Sequence, residues 1–543
     1  MKKRLFTFLL ALVMVLGCVG CGGGGGSSAG PVTLADAGST EYTIVYPAGA
    51  SLEIMNTVKY LQGALQQLTG VEFATSEDMA ISAAEENKEI LVGATDREES
   101  AAAMGSMKGS GDYVVKVAGS KIVLAGMLDM GVQEAAEKLM ADLSAAGDPV
   151  TLEGGYAYNG VSDSPVQYLP AYSYGVLETS YDCGDGADML IYNSDETGFT
   201  AYQADLEGEG FTKYTENTIG TNKFVTYTKD NILVHMMSLP AMECVRVIAQ
   251  NDAVLPAVSA PEITAVVQPS VTQLGLEGYD TSGSANQIGM SFLYQLSDGS
   301  FVVIDGGHNV DLAADQLFDQ MKKMAPDPAK IHVQAWFITH AHPDHMGCLL
   351  KFSEKYAGQL TVDKLICNLP NDVEMTGGSE SEAVNRGRIR DAAEKLGAQV
   401  MKTFTGQVHY FGDAVIEILC SVDVLAPASF EDFNNSSIVM SVELGGQKLM
   451  QLADCGPLES PVLTSLYGDE LKSDIVQNGH HGYRGATSEL YRAINPDYMF
   501  WPGGSRAYEN YKDMDYNTWV VSHVKENWIA LDQIITKTLP ITD

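Results

Sequence analysis

The alternation of apolar and polar positions predicts a small α/β domain over residues 40–160. Short apolar runs are typical of strands, and between them apolar residues recur at helical spacing. Gly70 is expected to end the first helix, because glycine readily adopts the backbone conformation that follows a helix. The predicted elements are a strand at 42–46, a helix at 51–68, a strand at 89–92, a hairpin at 113–125 and a helix at 132–143.

The C-terminal half, residues 280–543, has a pattern that fits two sheets covered by helices. Apolar residues at helical spacing predict a helix with one buried face near residues 317–324. Residues 437–444 and 447–454 alternate around Gly445-Gly446, which is a strong hairpin signal. This half is therefore predicted to be a layered α/β domain.

Residues 165–275, between those two regions, contain aromatic and glycine-rich segments and end in a proline-rich stretch. They are predicted to form an α+β domain whose role the sequence does not identify. The chain contains no dinucleotide-binding fingerprint, no phosphate-binding P-loop and no solenoid repeat.

Residues 1–20 resemble a bacterial lipoprotein signal peptide. A positively charged start precedes an apolar segment, residues 5–16, that is too short to span a membrane as a mature helix. Cys21 is expected to carry the lipid. Cys18 is the alternative lipidation site, and an uncleaved signal anchor is the other interpretation. Residues 21–39 are then a Gly/Ser-rich tether, and the protein is expected to be lipid-anchored at the extracellular face of the cell membrane.

The chain is strongly acidic, with a formal net charge of -37 over 543 residues. Nucleic-acid-binding proteins normally present basic patches, so extended nucleic acid is not an expected partner. Once Cys18 and Cys21 are set aside, the six remaining cysteines are too sparse and irregular for a disulfide framework or a CxxC zinc site. After the N-terminal region no stretch is long and apolar enough to predict a transmembrane helix.

Four side chains that can bind metal ions, His340, His342, Asp344 and His345, lie within six residues. They follow an apolar run at 335–338 that predicts a buried strand, and active sites of layered α/β folds lie at such strand ends. Imidazole nitrogens with a neighbouring carboxylate favour zinc, with manganese or iron as alternatives, over calcium or magnesium. The sequence therefore predicts one or two zinc ions here.

The spacing His-x-His-x-Asp-His resembles the second motif of the metallo-β-lactamase superfamily of binuclear metal hydrolases. The resemblance implies an αββα sandwich for the C-terminal half. It also implies that His340 and His342 bind one metal ion and that Asp344 and His345 bind the other.

Three further motifs match the family in order and spacing over about residues 285–505. Asp305 ends a predicted strand and matches the aspartate that in the family orients the metal shell. Asp454 stands in the place of the bridging aspartate. The pair His480-His481 supplies the last histidine ligand. His480 is taken as the ligand and His481 as the catalytic proton donor, although the sequence leaves the reverse assignment open.

One ligand position departs from the family pattern. Before the bridging aspartate the family usually has another histidine, whereas this chain has Asn-Asn-Ser-Ser at residues 434–437. Asn435 or Ser436 is expected to contact the substrate, or to contact the first metal through a water molecule. This segment and the His-His-Gly pair resemble a branch that contains the nuclease-like domain of the competence protein ComEC and, more loosely, bacterial phosphorylcholine esterases. The branch implies phosphodiester chemistry more than β-lactam chemistry.

Residues 40–160 also resemble the accessory domain that precedes the catalytic domains of hexosaminidases and α-glucuronidases. The segments 68–71, 89–97 and 112–116 carry this resemblance. By analogy the domain is noncatalytic and implies a carbohydrate setting.

Together these features predict an extracellular, lipid-anchored, metal-dependent hydrolase that cleaves phosphodiester bonds through a metal-bound hydroxide. Asp344 and Asp305 would hold and orient the metal shell, and His481 would move a proton. The expected substrate is a small or glycan-linked phosphodiester. Two alternatives stay open: a lactone, thioester or β-lactam hydrolase of the same fold, and a non-catalytic surface carbohydrate-binding protein with a residual metal site.

Overall fold

The computed structural model describes residues 30–144, 149–184, 186–275, 289–370, 380–426, 433–530 and 533–542. The chain divides into two compact units, the first ending at Gly160 and the second running mainly from Val161 to Asp543. The predicted signal peptide, residues 1–20, and the predicted lipidation site, Cys21, lie outside the described residues. Among the residues that are described, no helix combines the length and the apolar character needed to cross a membrane.

The first unit is a small α/β fold, as the sequence predicts. Six of its described strands form one sheet in the order β3-β2-β4-β6-β5-β8, and β1 pairs separately with β7. Apolar side chains of the helices and of this sheet share one core. The elements, numbered in chain order, are β1 (Val32–Ala35), β2 (Thr43–Tyr46), α1 (Leu52–Thr69), β3 (Ala74–Glu77), β4 (Glu89–Val92), α2 (Glu98–Met104), β5 (Asp112–Ala118), β6 (Lys121–Gly126), α3 (Asp129–Leu143), β7 (Val150–Leu152) and β8 (Ala157–Val161).

Helix α1 begins and ends where the sequence indicates. The Ser51 hydroxyl accepts a hydrogen bond from the backbone N–H of Ile54, which satisfies one of the free donors of the first turn. At the other end Gly70 has a left-handed backbone with φ of 73°, a conformation that glycine adopts without a steric penalty.

The predicted tether, residues 21–39, overlaps strand β1, and this part of the prediction is wrong. Leu34 and Ala35 are buried, and Val32 lies opposite Leu152 of β7. The tether prediction considered only local composition. These apolar residues instead pair with a strand far downstream, so strand β1 belongs to the fold of the first unit.

The first part of the second unit is an antiparallel sheet with one helix, which agrees with the predicted α+β class. Its described strands follow the order β11-β12-β13-β14-β10-β9. The elements are β9 (Val176–Asp182), β10 (Ala187–Asn193), α4 (Glu196–Gly208), β11 (Thr212–Ile219), β12 (Asn222–Lys229), β13 (Ile232–Leu239) and β14 (Cys244–Asn251).

This antiparallel sheet packs directly against the rest of the second unit. The Arg246 guanidinium is buried and donates hydrogen bonds to the backbone carbonyls of Asp423 and Ala426. His235 Nε2 lies 2.9 Å from the backbone carbonyl oxygen of Thr405. The segments 165–275 and 280–543 therefore belong to one compact unit.

The remainder of the second unit contains two sheets, each with seven described strands. Their orders are β20-β19-β18-β17-β16-β15-β28 and β21-β22-β23-β24-β25-β26-β27. The elements are β15 (Ser270–Gln273), β16 (Ser291–Gln295), β17 (Phe301–Asp305), α5 (Asp311–Met324), β18 (His332–Phe337), α6 (Pro343–Tyr356), β19 (Thr361–Cys367), α7 (Glu380–Leu396), β20 (Gln399–Lys402), β21 (Val408–Phe411), β22 (Ala414–Cys420), α8 (Val422–Leu425), β23 (Val439–Leu444), β24 (Gln447–Gln451), α9 (Glu459–Tyr467), β25 (Ile475–Gln477), α10 (Ser488–Ile494), β26 (Tyr498–Trp501), α11 (Ser505–Tyr511), α12 (Asp515–His523), β27 (Glu526–Ile529) and β28 (Ile535–Thr538).

The two sheets pack face to face. Their facing side chains form one core, in which Phe292 of β16 and Phe500 of β26 meet edge to face with ring centroids 5.4 Å apart. Helices α5 and α6 pack on the outer face of the first sheet, and α9 and α10 share a core with the second. The predicted αββα sandwich is confirmed.

Candidate metal centre

The candidate ligands lie where strands of the two sheets end. Asp305 is the last residue of β17, and the loop after the neighbouring parallel strand β18 carries His340. In the second sheet, Asp454 follows β24, and the pair His480-His481 follows the parallel strand β25. The carboxyl ends of parallel neighbours lie at the same edge of a sheet, so the topology brings these polar residues together.

Asp305 orients one of the histidines. The residue is fully buried, and its backbone φ of 58° is unusual for a residue other than glycine. Its carboxylate accepts hydrogen bonds of 2.8 Å from the backbone N–H and from the hydroxyl of Thr339. The Nδ1 atom of His345 lies 2.7 Å from the same carboxylate. Because Nδ1 donates to this carboxylate, the Nε2 of His345 points its lone pair elsewhere and can bind a metal ion.

The side chains converge in two groups with donor atoms at metal-binding spacing. His340, His342 and Asp454 form the first ligand group, and Asp344, His345 and His481 form the second. Within each group the potential ligand atoms lie within 4.8 Å of one another. This partition keeps His340 with His342 and Asp344 with His345, as the family resemblance implied.

Asp454 lies between the two groups. One of its carboxylate oxygens is 3.7 Å from His340 Nε2 and 3.6 Å from His480 Nε2. The other oxygen is 3.1 Å from His345 Nε2 and 3.5 Å from His481 Nε2. A carboxylate with one oxygen toward each group is suited to bridging two cations.

The donor set fits divalent metal ions. His340 Nε2 is buried and has no hydrogen-bond partner among the described residues. Buried polar atoms normally have a partner, so this nitrogen marks a place for another group. Nitrogen and carboxylate ligands in such a group suit zinc, iron or manganese.

His480 and His481 lie in a strained turn that directs their rings differently. Their φ angles are 48° and 53°, so two consecutive residues other than glycine are left-handed. His481 is 1% exposed, and its Nδ1 donates to the carbonyl of Pro502 at 2.7 Å. Its Nε2 lies 3.2 Å from Asp344 and 3.3 Å from His345 Nε2. The geometry therefore favours His481 as the ligand in the second group and leaves His480 as the less buried partner.

The residues that flank Asn435 and Ser436 contact the histidines of the centre. The Ser436 hydroxyl donates to the carbonyl of Phe433 and is therefore engaged within its own turn. Ser437 Oγ lies 3.5 Å from His340 Nδ1, and Asn434 Nδ2 lies 3.4 Å from His480 Nε2. In the tight turn before β23 the side-chain directions do not follow strand alternation, so the sequence could not select the correct pair.

The buried charges favour a positively charged occupant. Burial alone would raise the pKa of Asp454, but His345 and His481 hold that pKa well below its ordinary value. Burial likewise opposes protonation of His481, yet the carboxylates of Asp454 and Asp344 raise its pKa to about 9. The pKa of His340 shifts in the opposite direction, because burial and the neighbouring His345 hold it well below the ordinary value. A neutral His340 beside ionised carboxylates is in the state that a metal ligand requires.

Two groups that orient the centre were not identified from the sequence. Thr339 donates to Asp305 from both its backbone and its hydroxyl. Pro502 contributes only its carbonyl oxygen, to His481. Thr339 could have been suspected from its place in the histidine motif, whereas a backbone carbonyl leaves no signal in the sequence.

Residues 286–501 match the family described as the metallo-beta-lactamase superfamily. ComE operon protein 3 from Bacillus subtilis (strain 168) is 27% identical over 162 residues, which is 29% of this chain. The matched region is 18% of that relative's own length.

Solved structures with similarity include the metallo-beta-lactamase fold protein YhfI from Bacillus subtilis. It is 13% identical, with a TM-score of 0.30, and the match covers 50% of this chain and 100% of YhfI. Zn(2+)-bound PqqB from Methylobacterium extorquens is 10% identical, with a TM-score of 0.32, and the match covers 50% of this chain and 100% of PqqB.

The family match spans the histidine motif, the aspartate after β24 and the His-His-Gly pair, and these segments supply both ligand groups. The ComE relative agrees with the branch that the Asn-Asn-Ser-Ser and His-His-Gly segments resemble. Residues 286–501 therefore form a domain of the metallo-β-lactamase superfamily, similar to its ComEC-like branch.

Proposed function

We propose that this protein is an extracellular, lipid-anchored, metal-dependent hydrolase of phosphodiester bonds. The observation that carries the catalytic part is the position of Asp454, whose two carboxylate oxygens face two separate ligand groups. Asp454 would help to hold two cations, which when bound would stabilise both the attacking and the leaving oxygen of an in-line displacement at phosphorus.

The chain's own residues have distinct roles in this proposal. When bound, two divalent cations supply Lewis-acid stabilisation of phosphate oxygens and lower the pKa of an attacking water. His345 and His481 present Nε2 to the centre because their Nδ1 atoms are held by Asp305 and by the Pro502 carbonyl. Asp344 completes the second ligand group.

The proton donor in this proposal is His480. Its side chain is 19% exposed, whereas that of His481 is almost fully buried, so His480 is the member of the pair that a substrate can reach. Burial lowers the pKa of His480, so its neutral imidazole would first take a proton from the attacking water and then pass it to the leaving oxygen. The sequence had assigned this role to His481, whose place among the second ligand group makes it a better ligand than donor.

Phosphodiester chemistry is favoured over carbonyl chemistry by the branch that the chain resembles. The segment before β23 and the His-His-Gly pair follow the ComEC-like pattern, and the ComE relative supports that branch. The acidic chain, with its net charge of -37, is poorly matched to long nucleic acid. The proposed substrate is therefore a small or glycan-linked phosphodiester.

Metal content and a substrate panel test this proposal together. The purified full chain should contain up to two zinc, iron or manganese ions by elemental analysis. It should also hydrolyse bis(4-nitrophenyl) phosphate, with activity lost on chelation and restored by metal. Activity on a lactone or a β-lactam, with none on the phosphodiester, would contradict phosphodiester hydrolysis and indicate a hydrolase of carbonyl substrates. A folded protein that takes up no transition metal would favour the carbohydrate-binding alternative.

The lipid anchor is tested separately. Cys21→Ser should move the protein from the membrane fraction to the soluble fraction, because it removes the expected lipidated thiol. Cys18→Ser is the matched control and should leave fractionation unchanged. Release by Cys18→Ser with retention by Cys21→Ser would move the anchor to Cys18.

A further inference from the structure

The turn that carries His480 and His481 continues into an exposed, rigidly built corner. Arg484 is also left-handed, with a φ of 49°. Its backbone N–H donates to the hydroxyl of Tyr516 at 2.9 Å, and the backbone N–H of Tyr483 donates to the carbonyl of His480 at 2.7 Å. A Cβ on Gly482 would lie 2.1 Å from the Trp501 ring, so the turn is packed tightly against β26. Such strain in residues other than glycine persists only where the surroundings hold it, and it is concentrated at functional sites.

At this corner three side chains contact one another in sequence: His480 contacts Tyr483, and Tyr483 contacts Arg484. The ring of Tyr483 lies edge to face with the ring of His480, with centroids 5.6 Å apart. The guanidinium carbon of Arg484 lies 5.3 Å from the centroid of the Tyr483 ring. Tyr483 also contacts the ring of Tyr511 at 5.3 Å, so the tyrosine is held on two sides while 41% of its surface is exposed. The ring contact restricts where the guanidinium can lie.

The Arg484 side chain is exposed and carries a positive charge next to the turn of His480 and His481. For the Arg484 guanidinium we find no carboxylate at ion-pair distance within the described part of the chain. An exposed guanidinium without an ion-pair partner, connected to His480 through the ring of Tyr483, is available to an anion from outside.

We propose that Tyr483 and Arg484 form a subsite that binds a second anionic group of the substrate. The inference rests on the proposed function, and it narrows the substrate class to phosphodiesters that carry a carboxylate or phosphate group beside the scissile phosphate. A guanidinium binds either group through paired N–H donors, and the ring of Tyr483 holds it in place for that contact. One cation in an acidic surface suits one additional charge rather than a long polyanion.

Three aryl phosphodiesters with the same 4-nitrophenol leaving group test the subsite. Bis(4-nitrophenyl) phosphate has no second anionic group. In the other two compounds the retained ring carries a carboxylate or a phosphate in place of the nitro group. Arg484→Gln should lower kcat/KM for the charged diesters about tenfold more than for bis(4-nitrophenyl) phosphate. Arg484→Lys should recover part of that difference, because lysine keeps the charge but not the paired donors.

The matched control is Arg492→Gln. Arg492 is another exposed arginine with its guanidinium over an aromatic ring, 4.8 Å from the centroid of Trp519, and it lies on α10. This control should leave all three kcat/KM values unchanged. Equal losses on all three diesters with Arg484→Gln, or no loss on any, would overturn the subsite. A loss confined to one of the two charged diesters would identify carboxylate or phosphate as the preferred group.

A binding measurement separates failure of the subsite from failure of the proposed function. Calorimetry on the zinc-loaded full chain compares phenyl phosphate with 4-carboxyphenyl phosphate, and neither needs to be hydrolysed. The carboxylated compound should bind about tenfold more tightly, and Arg484→Gln should remove the difference. A preference that survives Arg484→Gln, or equal binding in the unsubstituted protein, would overturn the inference even if phosphodiesters are cleaved. A preference that depends on Arg484 in an enzyme inert toward phosphodiesters would sustain the anion subsite and reject the proposed reaction.

Discussion

In the second ligand group both imidazoles have their Nδ1 atoms fixed by strong acceptors, whereas the first group has weaker supports. His345 is held by Asp305 at 2.7 Å, and His481 is held by the Pro502 carbonyl at 2.7 Å. Among the described residues, the neighbours of His340 Nδ1 are two hydroxyl oxygens, that of Thr339 at 3.1 Å and that of Ser437 at 3.5 Å. His342 in addition is only half-buried.

The contrast shows that ligand identity alone does not determine how well a metal site is held. Groups behind the ligands fix ring orientation and tautomer, and their loss weakens metal binding by roughly 10–100-fold in known sites. The second ligand group has these supports, whereas Nδ1 of His340 has hydroxyl neighbours, and the chain has Asn-Asn-Ser-Ser where the family usually has another histidine. We therefore expect the second site to fill first and to retain its ion longer.

The largest expected effect comes from Asp454, which both groups share. Asp454→Ala should remove the carboxylate between the ions and lower phosphodiester hydrolysis on the order of 10³-fold or more, since such ions contribute several kcal/mol. Elemental analysis should show loss of metal at both sites. Asp363→Asn, at an exposed carboxylate that pairs with His332, is the control. A variant that keeps two tightly bound ions would show that Asp454 does not bridge them.

Alanine substitutions in the two groups should have unequal effects. His345→Ala should remove the more tightly held ion, whereas His342→Ala should remove the weaker one, each lowering the metal content by about one equivalent. Titration with a zinc-binding dye should show that the ion remaining in His342→Ala has the higher affinity. Equal affinities in the two variants would contradict the difference between the groups.

A milder substitution tests the contact between Asp305 and Nδ1 of His345, which orients a ligand of the second group. Asp305→Asn keeps the size of the side chain but removes its charge, so His345 loses a charged acceptor at Nδ1. The affinity of the second ion should fall by roughly 10–100-fold, with the first ion much less affected. Competition with a chelator of known affinity measures both constants. Unchanged affinity would mean that Thr339 and packing alone orient His345.

The smallest expected effect is on stability: the free energy of unfolding should depend on pH through His481 only after the metal ions have been removed by a chelator. Against the effect of burial, Asp454 and Asp344 raise the pKa of His481 to about 9, compared with about 6.5 for histidine in an unfolded chain. Between these values the folded state holds a proton that the unfolded state has lost. The free energy of unfolding should therefore be highest below about pH 6.5 and fall as the pH rises toward about 9.

Urea unfolding of chelated and zinc-loaded protein across that pH range checks this effect. Zinc should abolish the decline, because a metal-bound imidazole stays unprotonated at Nε2 at every pH in the window. A similar decline in both forms would assign it to groups outside the metal centre.

The sequence predicted best those features whose signals are local. Helix α1 could be placed because Ser51 and Gly70 cap its two ends. The hairpin of β23 and β24 followed from Gly445-Gly446, and both glycines adopt positive φ, at 60° and 76°. The histidine motif could be assigned because its ligands are close neighbours in the chain.

The sequence failed where the determining contact is distant or lies in the backbone. Strand β1 depends on β7 for its pairing, and β3 has the polar, mostly exposed sequence Ala-Thr-Ser-Glu, which lacks an apolar pattern. The choice between His480 and His481 depended on the turn geometry and on the carbonyl of Pro502. Asn434 and Ser437, which flank Asn435 and Ser436 in a tight turn, contact the histidines of the centre, and sequence alone did not indicate these contacts.

The pairing of β15 with β28 has a consequence for how the protein folds during synthesis. Thr272 and Thr536 face each other across this pair with hydroxyl oxygens 3.0 Å apart, although 264 positions separate them in the chain. One border of the first sheet is therefore completed only by a segment that leaves the ribosome 264 residues after Thr272. Until then the backbone groups of β15 on that side have no strand partner, and such an uncovered border is prone to pairing with other chains. Contacts of this sequence separation slow folding, so chaperone protection of the nascent chain is most valuable before β28 emerges.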